Sequence, residues 1–544
     1  MVWLLIKDIR LPITEPSVSA TDFALKKLYS LFGRENVGQA RVYKKSVDAR
    51  RRDNITAVYS VAAEVCAAPS DELMAKEGIS LLADADIVIP KGEKPMSNRP
   101  VVVGNGPCGM LCALLLAENG YRPIVIERGD SVDDRVKAVD DFYKTKQLDT
   151  ESNVQYGAGG AGTFSDGKLV TRINDPRCRY VLKRFAEFGA PESVLTLAKP
   201  HIGTDKLVSV VSNINKRIEQ AGGTVMYRTA LNGFIRSSDG SITGVKTSRG
   251  DIQCELVVLA TGNSARDVYK YLLGSDIDMQ EKALSVGLRI EHLRKDVEYA
   301  LFGSHMMSMA ERSADIRELL GHAEYAYSMR NDERAVYTFC MCPGGQVVCG
   351  SSEQGGVVVN GMSRSARDGR NSNCALCVSV NPQDCKPYGG TMEFCRMLER
   401  KAFELGKGNF KAPIETVGDF LNYSGRLTEP SRIMPTYMES NGNVTVARLD
   451  TILPSFVTDM LKKGIKRFAG NMKGFDAPDA VLSGVETRTS SPYRIFRADN
   501  GVSPHAPNLY PCGEGAGYAG GITSSAVDGV AQAQQIMSIY KPFD

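Results

Sequence analysis

Residues 100–128 read PVVVGNGPCGMLCALLLAENGYRPIVIER, and this stretch decides the fold. The three valines at 101–103 make a short buried strand. Gly104, Gly106 and Gly109 follow with G-x-G-x-x-G spacing. The first glycine permits a tight turn, the second lets backbone approach a pyrophosphate, and the third lets the following helix pack on the strand. A helix expected over 110–118 would turn its free N–H groups and positive dipole end toward the phosphates. Gly120 closes that helix, residues 121–126 give the next strand, and the strand stops at Glu127. An acid some 20 residues beyond the turn accepts hydrogen bonds from ribose hydroxyls. It also disfavours a 2′-phosphate, so the segment predicts FAD or NAD rather than NADP. A tight turn without a ligand would leave Glu127 unexplained.

Upstream, residues 1–94 read as a small α+β domain. A strand at 2–9 precedes a helix from Thr21 or Asp22 to Phe32, and two β-rich runs follow at 39–47 and 54–65. KGEKPMSNRP (91–100) is polar with two prolines and reads as the linker. The run RVYKKSVDARRR (41–52) holds six basic residues and one acid and has the charge to contact phosphates. The domain as a whole carries 14 Lys/Arg against 13 Asp/Glu, so a solvated strand and turn is the preferred reading. Downstream, 95–285 is the first part of a dinucleotide-binding domain. Residues 286–480, rich in Cys and Met, read as an inserted domain, and 481–544 as the return segment. The expected fold is α/β: a split Rossmann-like FAD/NAD(P)-binding domain, an inserted mixed β-rich domain and a small N-terminal α+β domain.

The composition is that of a globular chain of two to four domains: 544 residues, 43% hydrophobic, 24% charged. A net charge of +3 gives no general basicity, which argues against nucleic acid as the main partner. No apolar run approaches the ~18 residues of a membrane helix, and the start of the chain does not read as a signal peptide. The 13 cysteines are then expected to be reduced thiols in a cytoplasmic protein. Cys374, Cys377, Cys385 and Cys395 contain one C-x-x-C but no second short pair or His pair, so no metal site is expected. Cys108 and Cys112 share a helix face and read as packing.

Further glycine-rich segments extend the first: QYGAGGAGTFSDGKL (155–169), KPHIGTD (199–205), VLATGNSARD (258–267), MCPGG (341–345), VETRTSSPYRI (485–495) and YPCGEGAGYAGGITSSAVDG (510–529). With VVVGNGPCG (101–109), they resemble the FAD-dependent dehydrogenase family, also called NAD(FAD)-utilising dehydrogenases, within the glutathione-reductase-like FAD-binding superfamily. That family's substrate is not established. The resemblance implies FAD as cofactor. It assigns Gly104, Gly106, Pro107, Gly109, Glu127 and Arg128 to the first nucleotide motif. Gly159, Gly160, Gly162 and Thr163 would form the loop beside the flavin and its phosphates. Leu231 would offer backbone to the adenine, and Ala260, Thr261 and Gly262 would end a strand near the dinucleotide. Gly513 and Glu514 would face the ribityl chain or pyrophosphate. Gly520, Gly521 and Ile522 would lead into a helix, starting near Thr523, whose positive end points at the flavin's pyrimidine edge. No second glycine triplet sits between a strand and a helix, which argues against the two-dinucleotide disulfide reductases and for a substrate domain covering the flavin. NADH or NADPH remains open as a transient donor.

Two residues are candidates for chemistry. Cys342, in FCMCPGG, reads as a redox or nucleophilic thiol, with Cys340 on the same strand face; the alternative is a packed thiol. His201 reads as a general acid or base, the alternative being a hydrogen-bonded structural histidine. Ser165, Asp166 and Lys168 are candidates for the flavin's polar edge, and Arg172, Arg488 and Arg494 for holding an anionic substrate. The expected function is an FAD-dependent oxidoreductase moving two electrons between a small organic substrate and the flavin. The alternative is a flavoprotein that recognises RNA or a protein partner through its N-terminal domain, with FAD structural or regulatory.

Overall fold

In the computed structural model, residues 1–82, 87–440 and 442–543 are described. Residues 83–86 of the expected N-terminal domain, together with 441 and 544, lie outside them.

The valine triplet Val101–Val103 is the middle strand of a five-stranded parallel sheet. The order is Leu509–Pro511, Val257–Leu259, Val101–Val103, Ile124–Ile126, Thr224–Met226. A strand from the end of the chain thus completes a sheet begun near residue 100, and the dinucleotide-binding domain is split. A parallel sheet needs cover on both faces. On one face lie helices Pro107–Glu118, Thr204–Gln220 and Ile522–Ile539, sharing one apolar core. Helix Pro107–Glu118 is buried from Cys108 through Ala117, which is why its sequence lacks a polar face. On the other face lie the antiparallel strands Leu231–Arg236, Ile242–Thr247 and Gly250–Gln253.

The intervening chain builds a seven-stranded sheet. Its order is Ser328–Arg330, Ala335–Cys342, Asn371–Val380, Leu284–Leu293, Val481–Glu486, Ala412–Thr416, Val444–Val446. Helices Arg294–Arg312, Thr391–Leu405 and Ser455–Ala469 pack on it, and the central strands are buried along almost their whole length. The insert is therefore wider than the 286–480 expected from sequence. Val481–Glu486 is bonded to Leu284–Leu293 on one side and Ala412–Thr416 on the other, so the return segment begins beyond 486. A short apolar run has no period that says which sheet it joins.

The N-terminal unit forms a four-stranded sheet in the order Val37–Asp48, Thr56–Val65, Val2–Pro12, Ile79–Leu81, under helix Val18–Phe32. It docks on the dinucleotide domain through Lys45, whose N–H donates to the Thr196 carbonyl at 2.7 Å and whose carbonyl accepts from Ala198 at 2.9 Å. Part of its basic run is engaged locally. Arg10 and Arg50 both bind Asp48, and Arg41 stacks 4.7 Å over Trp3. Among the described residues no helix is long and apolar enough to cross a membrane.

Candidate functional site

The carboxyl end of the parallel sheet opens into a cavity of about 480 Å³. Its walls come from both the split domain and the inserted sheet. At one end stand Glu127, Arg128, Thr229 and Leu231. The middle is made by Gly104, Gly106, Pro107, Gly160, Gly162 and the strand end Ala260, Thr261 and Gly262. The far end holds Lys168, Glu514, Gly520, Gly521 and Ile522, with Phe339, Cys340, Asn360 and Glu486 from the inserted domain.

Local structure explains how the glycine turns reach this cavity. The Glu127 carboxylate gathers three backbone amides: Asn105 at 2.8 Å, Gly129 at 2.9 Å and Gly157 at 3.0 Å. It thereby ties the first glycine turn to the 155–169 loop. That loop is held from below by Arg135, which is fully buried. The Arg135 guanidinium donates to the carbonyls of Asn153, Val154, Gly157, Ala158 and Gly160 at 2.8–3.2 Å. Burial pulls its pKa down to about 9, so it stays charged at neutral pH.

Two features fit an extended dinucleotide. Gly106 has an ordinary extended backbone (φ −81°), and a Cβ there would meet nothing nearer than Gly160 Cα at 3.7 Å. At Gly520 a Cβ would meet nothing within 4 Å. Neither conformation nor packing demands glycine at these positions; a ligand lying against the backbone does. The helices that follow, Pro107–Glu118 and Ile522–Ile539, both start at this cavity without side-chain caps, leaving their N–H groups for an anion or a polar ring edge. Secondly, Gln155 Nε2 and Arg488 Nη1 are buried in this wall with no partner among the described residues. Buried donors left unpaired cost about 1–3 kcal/mol each, and a dinucleotide supplies acceptors.

Not every residue expected here reaches the cavity. Gly109 lies behind the turn, where a Cβ would fall on the Gly104 carbonyl oxygen, so its role is packing of helix on strand. Gly159 packs against Thr163 and against Val211 of helix Thr204–Gln220. Gly513 lets Cys108 approach, with 2.8 Å from a would-be Cβ to the Cys108 Cβ. Glu514 accepts from Asn263 Nδ2 at 2.9 Å, and burial raises its pKa. Ser165, Asp166, Lys168 and Arg488 line the cavity, whereas Arg172 and Arg494 do not.

Neither candidate for chemistry forms part of the cavity wall. A bulge between Phe339 and Cys342 breaks the strand's alternation, so the two cysteines do not share a face. Cys340, at φ 45°, turns toward the cavity, and Cys342 is fully buried beside Arg289. His201 Nε2 donates to the Ser365 carbonyl at 3.2 Å, and burial lowers its pKa, leaving a neutral structural imidazole. Gln155, Phe339, Asn360 and Glu486 were not singled out from sequence. Gln155, Phe339 and Glu486 lie in three separate quoted segments and Asn360 outside them, and no spacing links the four.

Residues 283–489 match the family described as "FAD-dependent protein, C-terminal domain-like", spanning the inserted sheet. A Clostridium beijerinckii protein described as "Uncharacterized protein" is 42% identical over 511 residues, covering 93% of each chain. Among solved structures, a geranylgeranyl bacteriochlorophyll reductase-like protein from Thermoplasma acidophilum is 12% identical, covering 82% of this chain and 79% of that one, with a TM-score of 0.35. A structure of CtdE in complex with FAD is 10% identical, covering 81% and 82%, with a TM-score of 0.31. Likeness at that level assigns no role to any residue here. The identity to the Clostridium protein, running the length of both chains, and the match over the inserted sheet place this chain in a family of FAD-dependent proteins.

Proposed function

We propose that this chain is an FAD-dependent oxidoreductase that moves two electrons between a small organic molecule and the flavin. In this reading it uses the glutathione-reductase-like form of the FAD fold and belongs with the NAD(FAD)-utilising dehydrogenases. The observation that carries the reading is the composite cavity: glycine-lined backbone from the split domain on one side, Phe339, Cys340, Asn360 and Glu486 from the inserted sheet on the other.

Bound FAD supplies hydride transfer. The chain's residues do the rest. Gly104, Gly106, Gly160 and Gly162 give the pyrophosphate room against backbone, and the start of helix Pro107–Glu118 offers it N–H groups. Glu127 accepts from the adenosine ribose, and Leu231 bounds the adenine. Glu514 stands beside the ribityl chain. The start of helix Ile522–Ile539 favours negative charge at the pyrimidine edge. Lys168 keeps its charge: burial opposes it, but Asp166, Cys342 and Cys340 together raise its pKa, so a cation stands at the flavin end.

The test is anaerobic mixing of the FAD-loaded protein with a metabolite panel, NADH and NADPH. Bleaching of the flavin band by at least one donor is expected. A stoichiometrically loaded protein whose flavin resists every donor would overturn the reading.

A further inference from the structure

The two cysteines of the strand Ala335–Cys342 are placed unlike the rest of the chain's thiols. Cys340 is part-exposed and lines the cavity, next to Phe339. Cys342 lies directly behind it, and its Sγ donates to the Cys340 carbonyl at 3.4 Å. In a regular strand, residues i and i+2 are roughly 6.6 Å apart. The bulge breaks that regular spacing: Cys340 adopts a left-handed backbone (φ 45°), a conformation that costs a side-chain-bearing residue about 1 kcal/mol and concentrates at functional sites. The pair rests on a built cationic floor. Arg289, fully buried, donates from Nη2 to the Cys340 carbonyl at 2.8 Å and reaches Cys342 Sγ at 3.6 Å. It is fixed by Asn373 at 2.7 Å and Glu486 at 2.9 Å, and Gly361 leaves it room, since a Cβ there would run into the guanidinium.

We propose that Cys340 and Cys342 are a redox-active dithiol that exchanges two electrons with the flavin. The step rests on the FAD reading above. The two thiols give up two protons and two electrons, and one S–S bond forms between them. The oxidised isoalloxazine takes up both electrons and both protons as its dihydro form, and the reverse step reopens the disulfide. Local charge favours the step. The neighbouring Cys342 thiol, followed by Arg289 and Lys168, lowers the Cys340 pKa, while the Cys342 proton is held more tightly. The pair thus releases one proton readily and keeps the second, the ordinary pattern for two coupled acids. The exposed member is the more nucleophilic, and the buried one is positioned to close the ring.

The experiment uses the full-length holoprotein, with bound FAD per chain measured first. Anaerobic dithionite titration counts electrons taken up per flavin. Separately, thiols are blocked by alkylation under denaturing quench, and the peptide holding Cys340 and Cys342 is read by mass spectrometry. The oxidised wild type is expected to take up twice as many electrons per flavin as Cys340→Ser or Cys342→Ser. Its peptide is expected to resist alkylation before reduction and to alkylate at both cysteines after it. The peptide measurement needs no variant, so a Ser variant that misfolds does not spare the proposal. It also separates this pair from Cys108 and Cys512, whose sulfurs lie 2.9 Å apart behind the phosphate turn. Equal electron uptake in all three proteins, with both cysteines alkylated in the oxidised wild type, overturns the dithiol and leaves the flavin reading standing. A chain that takes up no FAD overturns the flavin reading itself.

Discussion

The backbone N–H of Asn105 donates to Glu127 Oε2 at 2.8 Å, joining the glycine turn to the end of the next parallel strand. The same carboxylate holds the amides of Gly129 and Gly157, so one side chain sets the spacing of three segments around the cavity. Glu127→Ala leaves three amides without an acceptor. Hydrogen bonds to a charged group contribute about 1.5–3 kcal/mol each, so a loss of at least about 3 kcal/mol is expected. Thermal unfolding of the apo protein measures it, and a melting point unchanged from wild type would contradict the assignment.

Gly106→Val separates folding from cofactor retention. The backbone there suits any residue, and the nearest atom to a Cβ is at 3.7 Å, so the apo protein should melt as wild type does. The added side chain fills space the pyrophosphate needs, and FAD affinity should fall at least about tenfold, the equivalent of ~1.4 kcal/mol. Equilibrium dialysis with FAD gives the answer; unchanged affinity would mean the cofactor does not approach this turn.

Arg135→Lys tests the floor of the glycine loop. A guanidinium supplies five donors in a fixed fork, and here Nε and Nη2 each serve one carbonyl while Nη1 is shared among three; an ammonium has three donors. Destabilisation of about 2–4 kcal/mol is expected, together with faster loss of FAD on dilution. Retention of both stability and flavin would show that the loop holds its shape without the fork.

Glu415, 2% exposed, belongs to strand Ala412–Thr416 of the inserted sheet and accepts from the Leu449 N–H at 2.8 Å. Burial, with Asp450 and Asp419 nearby, raises its pKa from 4.5 to about 7. The folded state therefore binds this proton more tightly than the unfolded state. The group's contribution falls as pH rises from 4.5 through about 7, and full titration is worth roughly 3 kcal/mol. Glu415→Gln keeps the acceptor and removes the titration. Melting points compared at about pH 5 and about pH 8 should lie closer together in the variant than in wild type. An equal gap in the two proteins would rule out Glu415 as its source.

The sequence makes some of these residues legible and hides others for physical reasons. The turn at Gly104, the acid at Glu127 and the two glycine-led helices announce themselves, because a backbone approached by a ligand restricts residue type at fixed spacing. Arg135 does not: on helix Val132–Thr145 it looks like any solvent-facing arginine, and only the fold shows it turned under a loop. The choice between Cys340 and Cys342 was hidden by the bulge, since period-two counting assumes a regular strand. The boundary near Val481 was hidden because a six-residue apolar run fits either sheet.

Arg266, at the start of helix Arg266–Leu273, meets Glu399 of helix Thr391–Leu405 at 2.6 Å, with side chains 5% and 2% exposed. Glu399 also takes Arg488 at 3.0 Å, and Arg266 takes Glu353 at 2.7 Å. Stripping one partner from such a shielded pair costs about 3–5 kcal/mol. The two lobes are riveted rather than hinged. Passage into and out of the cavity is then expected to rely on local movement at its mouth and not on a parting of the lobes.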